Sequence, residues 1–264
     1  MKLDKAVQAT INYAAKYGCI LNKSEILLRL ISNDIYNKNE VFKYLDSINY
    51  CGDGNSNRKN CIDKIKLAEK LVKKLKFFKI IYLVGISGSV SAGYPQKNDD
   101  IDLIIITKKN CLWMSRVLIK IYLIINKINH RAYGKKEKTN EFCFNLWLDE
   151  EALKLPKTKR NLRSAMDLIL MKPILNRNNI YEKFIEANSW AKEYVANGYF
   201  HILNPLSLRD ISLKKGNLIE NTKILDLFWK TVNYVAFKGQ YLFMKRKMTN
   251  EIVALKRAFF HPNG

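Results

Sequence analysis

Residues 79–107 read KIIYLVGISGSVSAGYPQKNDDIDLIIIT, and this stretch decides the fold. Two apolar runs, Lys79–Ile86 and Ile101–Thr107, have the length and the Ile-rich composition of central β-strands that are buried on both faces. Between them lies a polar segment that contains Gly, Ser and Asp. The stretch therefore predicts two buried strands, with a glycine-containing bend at the carboxyl end of the first.

Two carboxylates stand where the second strand begins, in the sequence Asp100-Ile101-Asp102. Residues two apart in a strand point to the same face. An apolar strand tolerates such a pair only if something neutralises the charge. Mg²⁺ (or Mn²⁺) does so naturally, because it binds carboxylate oxygens and shares its other positions with substrate phosphates. The pair therefore predicts a divalent-cation site.

The bend Ser87-Gly88-Ser89 offers the other half of a phosphate site. Because Gly88 has no Cβ, a triphosphate can approach the backbone closely. Ser89, Ser91 and backbone N–H groups at the start of the next helix can donate to phosphate oxygens. These residues are the predicted contacts for the β- and γ-phosphates of a nucleoside triphosphate.

This arrangement resembles the DNA polymerase β-type nucleotidyltransferase superfamily, whose signature is apolar-Gly-[Gly/Ser], a gap of roughly ten residues, and Asp-apolar-Asp. Here Gly88-Ser89 and Asp100-Ile101-Asp102 match it across a gap of ten residues, with Ser87 in the apolar position. The resemblance implies an α+β fold in which a small mixed sheet is flanked by helices. It also implies Mg²⁺-dependent transfer of a nucleoside monophosphate from the triphosphate to an acceptor hydroxyl, with release of pyrophosphate.

The chain is similar over most of its length to a group of bacterial nucleotidyltransferase-domain proteins that carry an N-terminal winged-helix region. Arg116 lies three residues after Trp113 in a helical pattern and is a candidate phosphate contact, although a surface arginine beside a packed tryptophan fits equally well. The similar stretches are Ser87–Gly93, Asp99–Leu103, Leu112-Trp113 with Arg116, Phe142–Asn145, Glu186–Trp190 and His261-Pro262.

Active members of the superfamily usually carry a third carboxylate on a neighbouring strand. Residues 141–148, EFCFNLWL, predict that strand, and the matching position is Asn145. A period of two puts Glu141, Cys143, Asn145 and Trp147 on one face. An amide can coordinate a cation but supplies neither charge nor a useful base. Asp100, Asp102 and Asn145 are thus the predicted catalytic set, in a centre that either turns over or binds nucleotide without turnover.

The first 60 residues predict a winged-helix-like module. Three short amphipathic patterns are followed by a turn-rich segment, Tyr50–Asn55, which suits the tip of a hairpin. The third helix begins with Asn37 followed three residues later by Glu40, a pattern that imitates a capping box. With Lys38 and Lys43, this helix is the candidate nucleic-acid recognition helix. A small helical bundle that only contacts protein is the alternative.

Two further domains are expected after this module. Residues 61–150 form the nucleotidyltransferase core, and residues 151–264 form an α-helical domain that closes over the nucleotide and helps to choose the base. From Glu151 onward the patterns indicate helices alone, over Asn161–Met171, Ile180–Ala196 and Asn221–Lys247.

Composition limits the partners. Lys and Arg number 46 against 24 Asp and Glu, a net charge of +22 that favours a polyanionic partner such as nucleic acid. The codon usage of an AT-rich genome would explain the same excess of lysine. Five cysteines without a C-x-x-C pair, and no signal peptide or apolar run of spanning length, predict a cytoplasmic protein with no membrane partner.

The sequence thus leaves three functional hypotheses. The first is the Mg²⁺-dependent nucleotidyltransferase with an undefined acceptor. The second is a nucleic-acid-binding regulator whose nucleotidyltransferase centre senses nucleotide, which Asn145 and the charge of +22 favour. The third is an antitoxin-like enzyme that modifies a partner protein.

Overall fold

The computed structural model describes residues 1–54, 58–131, 138–208 and 223–260. The protein has an α+β fold around a mixed six-stranded sheet with the strand order β4-β1-β2-β3-β6-β5. Only β2 and β3 pair in parallel, and all other neighbouring strands are antiparallel. The strands are β1 Ile81–Ile86, β2 Ile101–Thr107, β3 Phe142–Asp149, β4 Lys172–Asn176, β5 Ile252–Ala254 and β6 Arg257–Phe259.

Helices cover both faces of the sheet. One apolar core lies between the sheet and α7–α9, and the other lies between the sheet and α4, α6 and α10. No helix within the described ranges combines the length and the apolar character that a membrane span needs. The helices are α1 Leu3–Ala15, α2 Lys23–Leu28, α3 Lys38–Ser47, α4 Arg58–Leu75, α5 Gly88–Ala92, α6 Leu112–Ile125, α7 Leu162–Leu170, α8 Ile180–Ala187, α9 Lys192–Leu208 and α10 Lys223–Lys245.

The two buried strands that the sequence predicts are confirmed as β1 and β2, next to each other in the sheet. All six residues of β1 are buried, and so are six of the seven in β2. The exception is Asp102, which is half-buried. The antiparallel pairing continues one step beyond β1, because the Ser87 N–H donates to the Asp102 carbonyl at 3.0 Å. This pairing brings the bend after β1 to the residues that begin β2.

The predicted third strand is confirmed as β3, but its alternation is broken. Asp102 is in register with Cys143 and Leu103 with Phe144, whereas Ile104 is in register with Leu146, so one extra residue of β3 is inserted there. That residue is Asn145. The expectation that Trp147 shares a face with Cys143 and Asn145 is therefore wrong, and Trp147 is buried in the core under α4 and α6. A bulge shifts every following side chain to the opposite face.

The expectation that no strand follows Glu151 is also wrong. β4 adds to the free side of β1, while β6 and β5 extend the sheet beyond β3. These strands have three to five residues, which is too short for alternation to be recognised in a sequence. β4 contains Pro173, which an edge strand tolerates because its outer N–H side needs no partner.

The three N-terminal helices are confirmed, but the predicted hairpin is not. Residues 1–54 contain no strand, only an isolated bridge from Ser32 to Val195, and Asn55 lies outside the described residues. The Asn37–Glu40 capping box that begins α3 is confirmed, and a second one begins α2. The three helices bury their own small apolar core, so they do not need a wing to be stable.

Hydrogen bonds fix the N-terminal helices to the rest of the protein. The backbone of Tyr36, between α2 and α3, exchanges two bonds with the Asn197 amide of α9, at 2.9 and 2.8 Å. The Arg29 guanidinium, at the end of α2, donates to the Ala92 carbonyl of α5 at 2.8 Å. The helices thereby contact both the C-terminal half and the segment that follows the glycine-serine bend.

The single helix that the sequence predicts over Ile180–Ala196 is interrupted at Asn188. This residue is fully buried, and its side-chain amide forms four hydrogen bonds of 2.8–2.9 Å. They connect the end of α8 to the segment before α7 and to the Trp190 indole. Asn188 and Trp190 are both buried in the core, so their role is structural.

We expect Asn188→Ala to lower the free energy of unfolding by about 2–4 kcal/mol, because it leaves several buried backbone groups without partners. Thermal and denaturant unfolding would measure this, with exposed Asn39→Ala of α3 as the matched control. Equal stability of the two variants would contradict the structural role of Asn188.

Candidate active site

The structure brings the carboxylates of Asp100 and Asp102 together at the start of β2. Asp100 is 7% exposed, and Asp102 is half-buried on the face that α7 covers. One oxygen of each carboxylate and the Cys143 sulfur lie within 4.8 Å of one another. Parallel pairing of β2 with β3 places Cys143 beside Asp102. The cluster therefore combines two carboxylates and a thiol around one point.

Gly88 lies directly against Asp102. Its φ of +66° is a left-handed conformation that L side chains rarely adopt. A Cβ placed on Gly88 would come within 3.2 Å of the Asp102 Cγ and closer still to its carboxylate. Glycine is thus required at this position both by the backbone and by the space that the Asp102 side chain needs.

The loop that leads into β2 is held by Asp99. Its carboxylate accepts from the Ser89 hydroxyl at 2.7 Å and from the Gln96 N–H at 2.9 Å. Ser89, a predicted phosphate contact, therefore already uses its hydroxyl proton to bind this loop. A phosphate at the bend would exchange that bond for its own, which couples the loop to the ligand.

The buried Lys64 of α4 binds the same loop through hydrogen bonds. It is 2% exposed, and its ammonium donates to the Asp99 carbonyl at 2.6 Å, the Lys97 carbonyl at 3.3 Å and the Asn140 side chain at 2.8 Å. Burial lowers the pKa of this lysine, and the charge of Asp99 opposes that effect. The three bonds connect the residues before β2 to the turn before β3.

Asn145 binds Asp102 directly. Its amide nitrogen donates to the Asp102 carboxylate, and its amide oxygen accepts from the Cys143 thiol at 2.8 Å. Burial, and then the charge of Asp102, raise the pKa of the Cys143 thiol, so the thiol is protonated at neutral pH. The bulge in β3 is what turns Asn145 towards Asp102.

The side chain of Arg131 lies close to the acidic cluster. The Arg131 guanidinium, just after the turn that follows α6, is 3.7 Å from the Asp100 carboxylate and 3.7 Å from the Cys143 sulfur. Its positive charge offsets part of the negative charge of the two carboxylates. The charge of a cluster with two carboxylates is thus only partly neutralised by this arginine.

Two cavities meet at Gly88 and Asp102. The larger has a volume of about 350 Å³ and extends from Ser89 and Asp100 to α1 and α2. The smaller, of about 130 Å³, extends past Asn145 to apolar side chains of β6 and α8. Arg163 and Asp167 of α7 line both. The acidic pair is thus reached from two sides.

Two of the predicted contacts lie elsewhere. Ser91 is buried, and its hydroxyl donates to the Gly88 carbonyl at 2.9 Å, which stabilises the bend from inside. Arg116 lines neither cavity. Its guanidinium lies over the rings of Trp113, Trp147 and Phe260 and donates to Gln240 of α10 at 3.1 Å.

Sequence reasoning missed several residues of the site. Lys64 and Arg131 reach it from distant elements, and no local pattern marks them. Arg163 and Asp167 are four residues apart and therefore share a face of α7, a signal that a search for paired charges on one helix face could have found. Cys143 was grouped with Asn145 by the strand period, but its place beside Asp102 depends on the pairing of β2 with β3.

The donor set fits a divalent cation. Carboxylate oxygens from Asp100 and Asp102 suit Mg²⁺ or Mn²⁺, whereas the protonated thiol of Cys143 supplies no anionic ligand. The absence of a side chain at Gly88 leaves the room that the Asp102 carboxylate occupies. The residues present are therefore compatible with the cation that the sequence predicts.

Comparisons with known proteins do not identify a relative. No protein-family model, curated protein or solved structure gives a significant match to this chain. The function of the protein is therefore inferred from the residues of the site and from their geometry.

Gly88→Ala and Gly93→Ala form a matched pair of variants. Both residues have a positive φ, so each substitution should cost about 1–2 kcal/mol of stability. Only at Gly88 does the new Cβ meet another residue, since nothing lies within 4 Å of a Cβ on Gly93. We expect Gly88→Ala to be the less stable variant in thermal unfolding, and also the only one with weakened Mn²⁺ binding in titrations followed by electron paramagnetic resonance. Equal losses in both variants would contradict the contact with Asp102.

Proposed function

We propose that this protein is a divalent-cation-dependent nucleotidyltransferase that moves a nucleoside monophosphate from a nucleoside triphosphate to an acceptor hydroxyl. The observation that carries the proposal is the contact between Gly88 and Asp102, which places a bend without a Cβ against an acidic pair. A triphosphate needs this combination, since its phosphates require close backbone approach and its charge requires cations.

Each residue then has a defined task. Asp100 and Asp102 hold the cation, and Ser89 donates to a phosphate oxygen once its bond to Asp99 is exchanged. Bound there, Mg²⁺ or Mn²⁺ neutralises the phosphates and activates the nucleophile. Arg163, on the wall that both cavities share, contributes positive charge where the two substrates meet.

The reaction balances without a protein base at Asn145. The acceptor oxygen forms a bond to the α-phosphorus, the bond from that phosphorus to the bridging oxygen breaks, and pyrophosphate leaves with the electron pair. The acceptor's proton goes to water. Asn145 orients the Asp102 carboxylate through its hydrogen bond and accepts no proton, because an amide is not basic at neutral pH.

Asn145 is also the observation that favours the second candidate function. A neutral amide bound to Asp102, in place of a third carboxylate, suits a nucleotide-sensing regulator that turns over slowly or not at all. In that case the basic surface of the chain, with its net charge of +22, binds nucleic acid.

Transfer of label from α-³²P nucleoside triphosphates separates the two functions. With Mn²⁺ and total cellular RNA or protein, we expect the native chain to label an acceptor. Asp100→Asn and Asp102→Asn should lose at least about 100-fold of this activity, because each removes a charged cation ligand. Asp63→Asn, on the exposed side of α4, is the matched control.

The outcomes of this assay are distinct. Label transfer that persists in both aspartate variants would contradict the proposed reaction. Salt-sensitive duplex binding with no transfer, in the native chain and in both variants, would support the regulator instead. An acceptor that is protein rather than RNA would point to the enzyme that modifies a partner.

Asn145→Asp tests the cation site without an acceptor. The new carboxylate would face Asp102 and replace an attractive hydrogen bond by repulsion between like charges. We therefore expect Asn145→Asp to melt at a lower temperature than the native chain when both are in EDTA. Addition of Mn²⁺ should then raise the melting temperature of Asn145→Asp more than that of the native chain. Asn145→Leu, which also loses the hydrogen bond but adds no charge, should show no such increase. A cation response of Asn145→Asp no larger than that of the native chain would argue against a cation at this point.

A further inference from the structure

The larger cavity has two chemically different ends. At one end lie Gly88, Ser89 and the acidic pair, and at the other lie the rings of Tyr13, Tyr17 and Tyr94. Its volume of about 350 Å³ falls in the range of small-molecule sites. The smaller cavity has about a third of that volume. Only the larger cavity therefore joins the phosphate end to a space that can hold a nucleoside.

The three tyrosines form a continuous aromatic wall. The ring centroids of Tyr13 and Tyr17 are 5.3 Å apart, and those of Tyr17 and Tyr94 are 6.1 Å apart. Tyr17 lies in the turn after α1 and is 40% exposed, so its ring is accessible at the cavity mouth. Flat aromatic faces bind nucleobases by stacking, and this stacking tolerates any base.

Hydrogen bonds connect the aromatic wall to the segment at the phosphate end of the cavity. Tyr94 follows the bend through α5, and its N–H donates to the Ser89 carbonyl at 3.1 Å. Tyr13 lies on α1 and Tyr17 lies in the turn directly after it, and the Thr10 hydroxyl of α1 accepts from the Ile31 N–H at 2.9 Å. The Arg29 bond to Ala92 joins the end of α2 to α5. Helices α1 and α2 are therefore attached to the end of α5, the helix that leads from the glycine-serine bend to Tyr94.

The hydroxyls of Tyr13 and Tyr94 are protonated at neutral pH. Burial, and then the charge of Asp167, raise the pKa of Tyr94 to about 12, and burial also raises the pKa of Tyr13. Both groups can consequently act as hydrogen-bond donors to ring nitrogens or carbonyl oxygens of a base.

We propose that the N-terminal helices, rather than the C-terminal ones, supply the nucleobase site: Tyr13, Tyr17 and Tyr94 bind the base of the triphosphate whose phosphates lie at Gly88 and Ser89. This inference rests on the proposed function, because it takes the phosphates to lie at the acidic pair. It gives the N-terminal region a role in substrate binding that does not require nucleic-acid recognition.

The test compares a ligand that has a base with one that has none. The first ligand is whichever of the four α,β-methylene nucleoside triphosphates binds most tightly, and the second is inorganic tripolyphosphate. The affinity of each is measured by isothermal titration calorimetry in the presence of Mn²⁺. We expect Tyr17→Ala to weaken the nucleotide by roughly 5- to 150-fold, the range that loss of one stacked base gives. The affinity for tripolyphosphate should change by less than about twofold. Tyr17→Phe should bind nucleotide as the native chain does, because it keeps the ring.

Tyr234→Ala is the matched control, since Tyr234 lies on α10 away from the cavity and is 47% exposed. Tyr94→Leu is a second variant that should weaken the binding of nucleotide but not that of tripolyphosphate. Equal effects on both ligands, or no effect on either, would overturn the base site. So would a Tyr17→Ala defect confined to a single-stranded pentaribonucleotide, which would make the cavity an acceptor site.

The same experiment distinguishes a failure of the proposed function from a failure of the nucleobase site. If Asp100→Asn leaves the Mn²⁺-dependent binding of tripolyphosphate unchanged, the proposed function fails whatever the tyrosines do. If Asp100→Asn abolishes that binding while Tyr17→Ala binds nucleotide as the native chain does, only the base site fails. A native chain that binds neither ligand would overturn both.

Discussion

The close approach of Gly88 to Asp102 is the constraint on which the rest of the site depends. It exists because β1 and β2 are adjacent and antiparallel, and because the Ser87 N–H continues their pairing beyond β1. The left-handed φ of Gly88 then turns the chain away just where the Asp102 side chain needs room. Any larger residue would displace the carboxylate, so the bend and the acidic pair have to be considered as one unit.

Around this unit, hydrogen bonds connect polar side chains that come from separate elements of the fold. Lys64 makes three hydrogen bonds beneath the loop, and Asn145 connects Asp102 to Cys143. Networks of this kind restrict side chains to one arrangement, because each unmade bond in a buried place is costly. Under the proposed function such rigidity would favour binding of a highly charged ligand, since the ligand would not have to reorder its surroundings.

Elements that depend on residues close together in the sequence could be predicted, whereas elements that depend on distant residues could not. The buried strands and the capping box of Asn37 and Glu40 depend on neighbours in the chain, and the sequence patterns predicted them. The short strands β4 and β6 depend on partners about a hundred residues away, and β5 pairs with β6 over three residues only, so the patterns missed all three. The bulge at Asn145 belongs to the same class, because only pairing with β2 shows which residue is inserted. The hairpin expected at Tyr50–Asn55 shows that turn-forming residues alone do not make strands.

The amino-acid sequence by itself determined that two apolar strands enclose a glycine-serine bend and that two aspartates share a face, because these properties follow from local periodicity and from side-chain chemistry. Only the tertiary structure decided which residues surround that pair. Lys64, Cys143 and the tyrosines of α1 reach the site from separate parts of the chain, through strand pairing and helix packing. The physical reason is that contacts between distant segments are selected by the burial of whole faces, which no short stretch of sequence encodes.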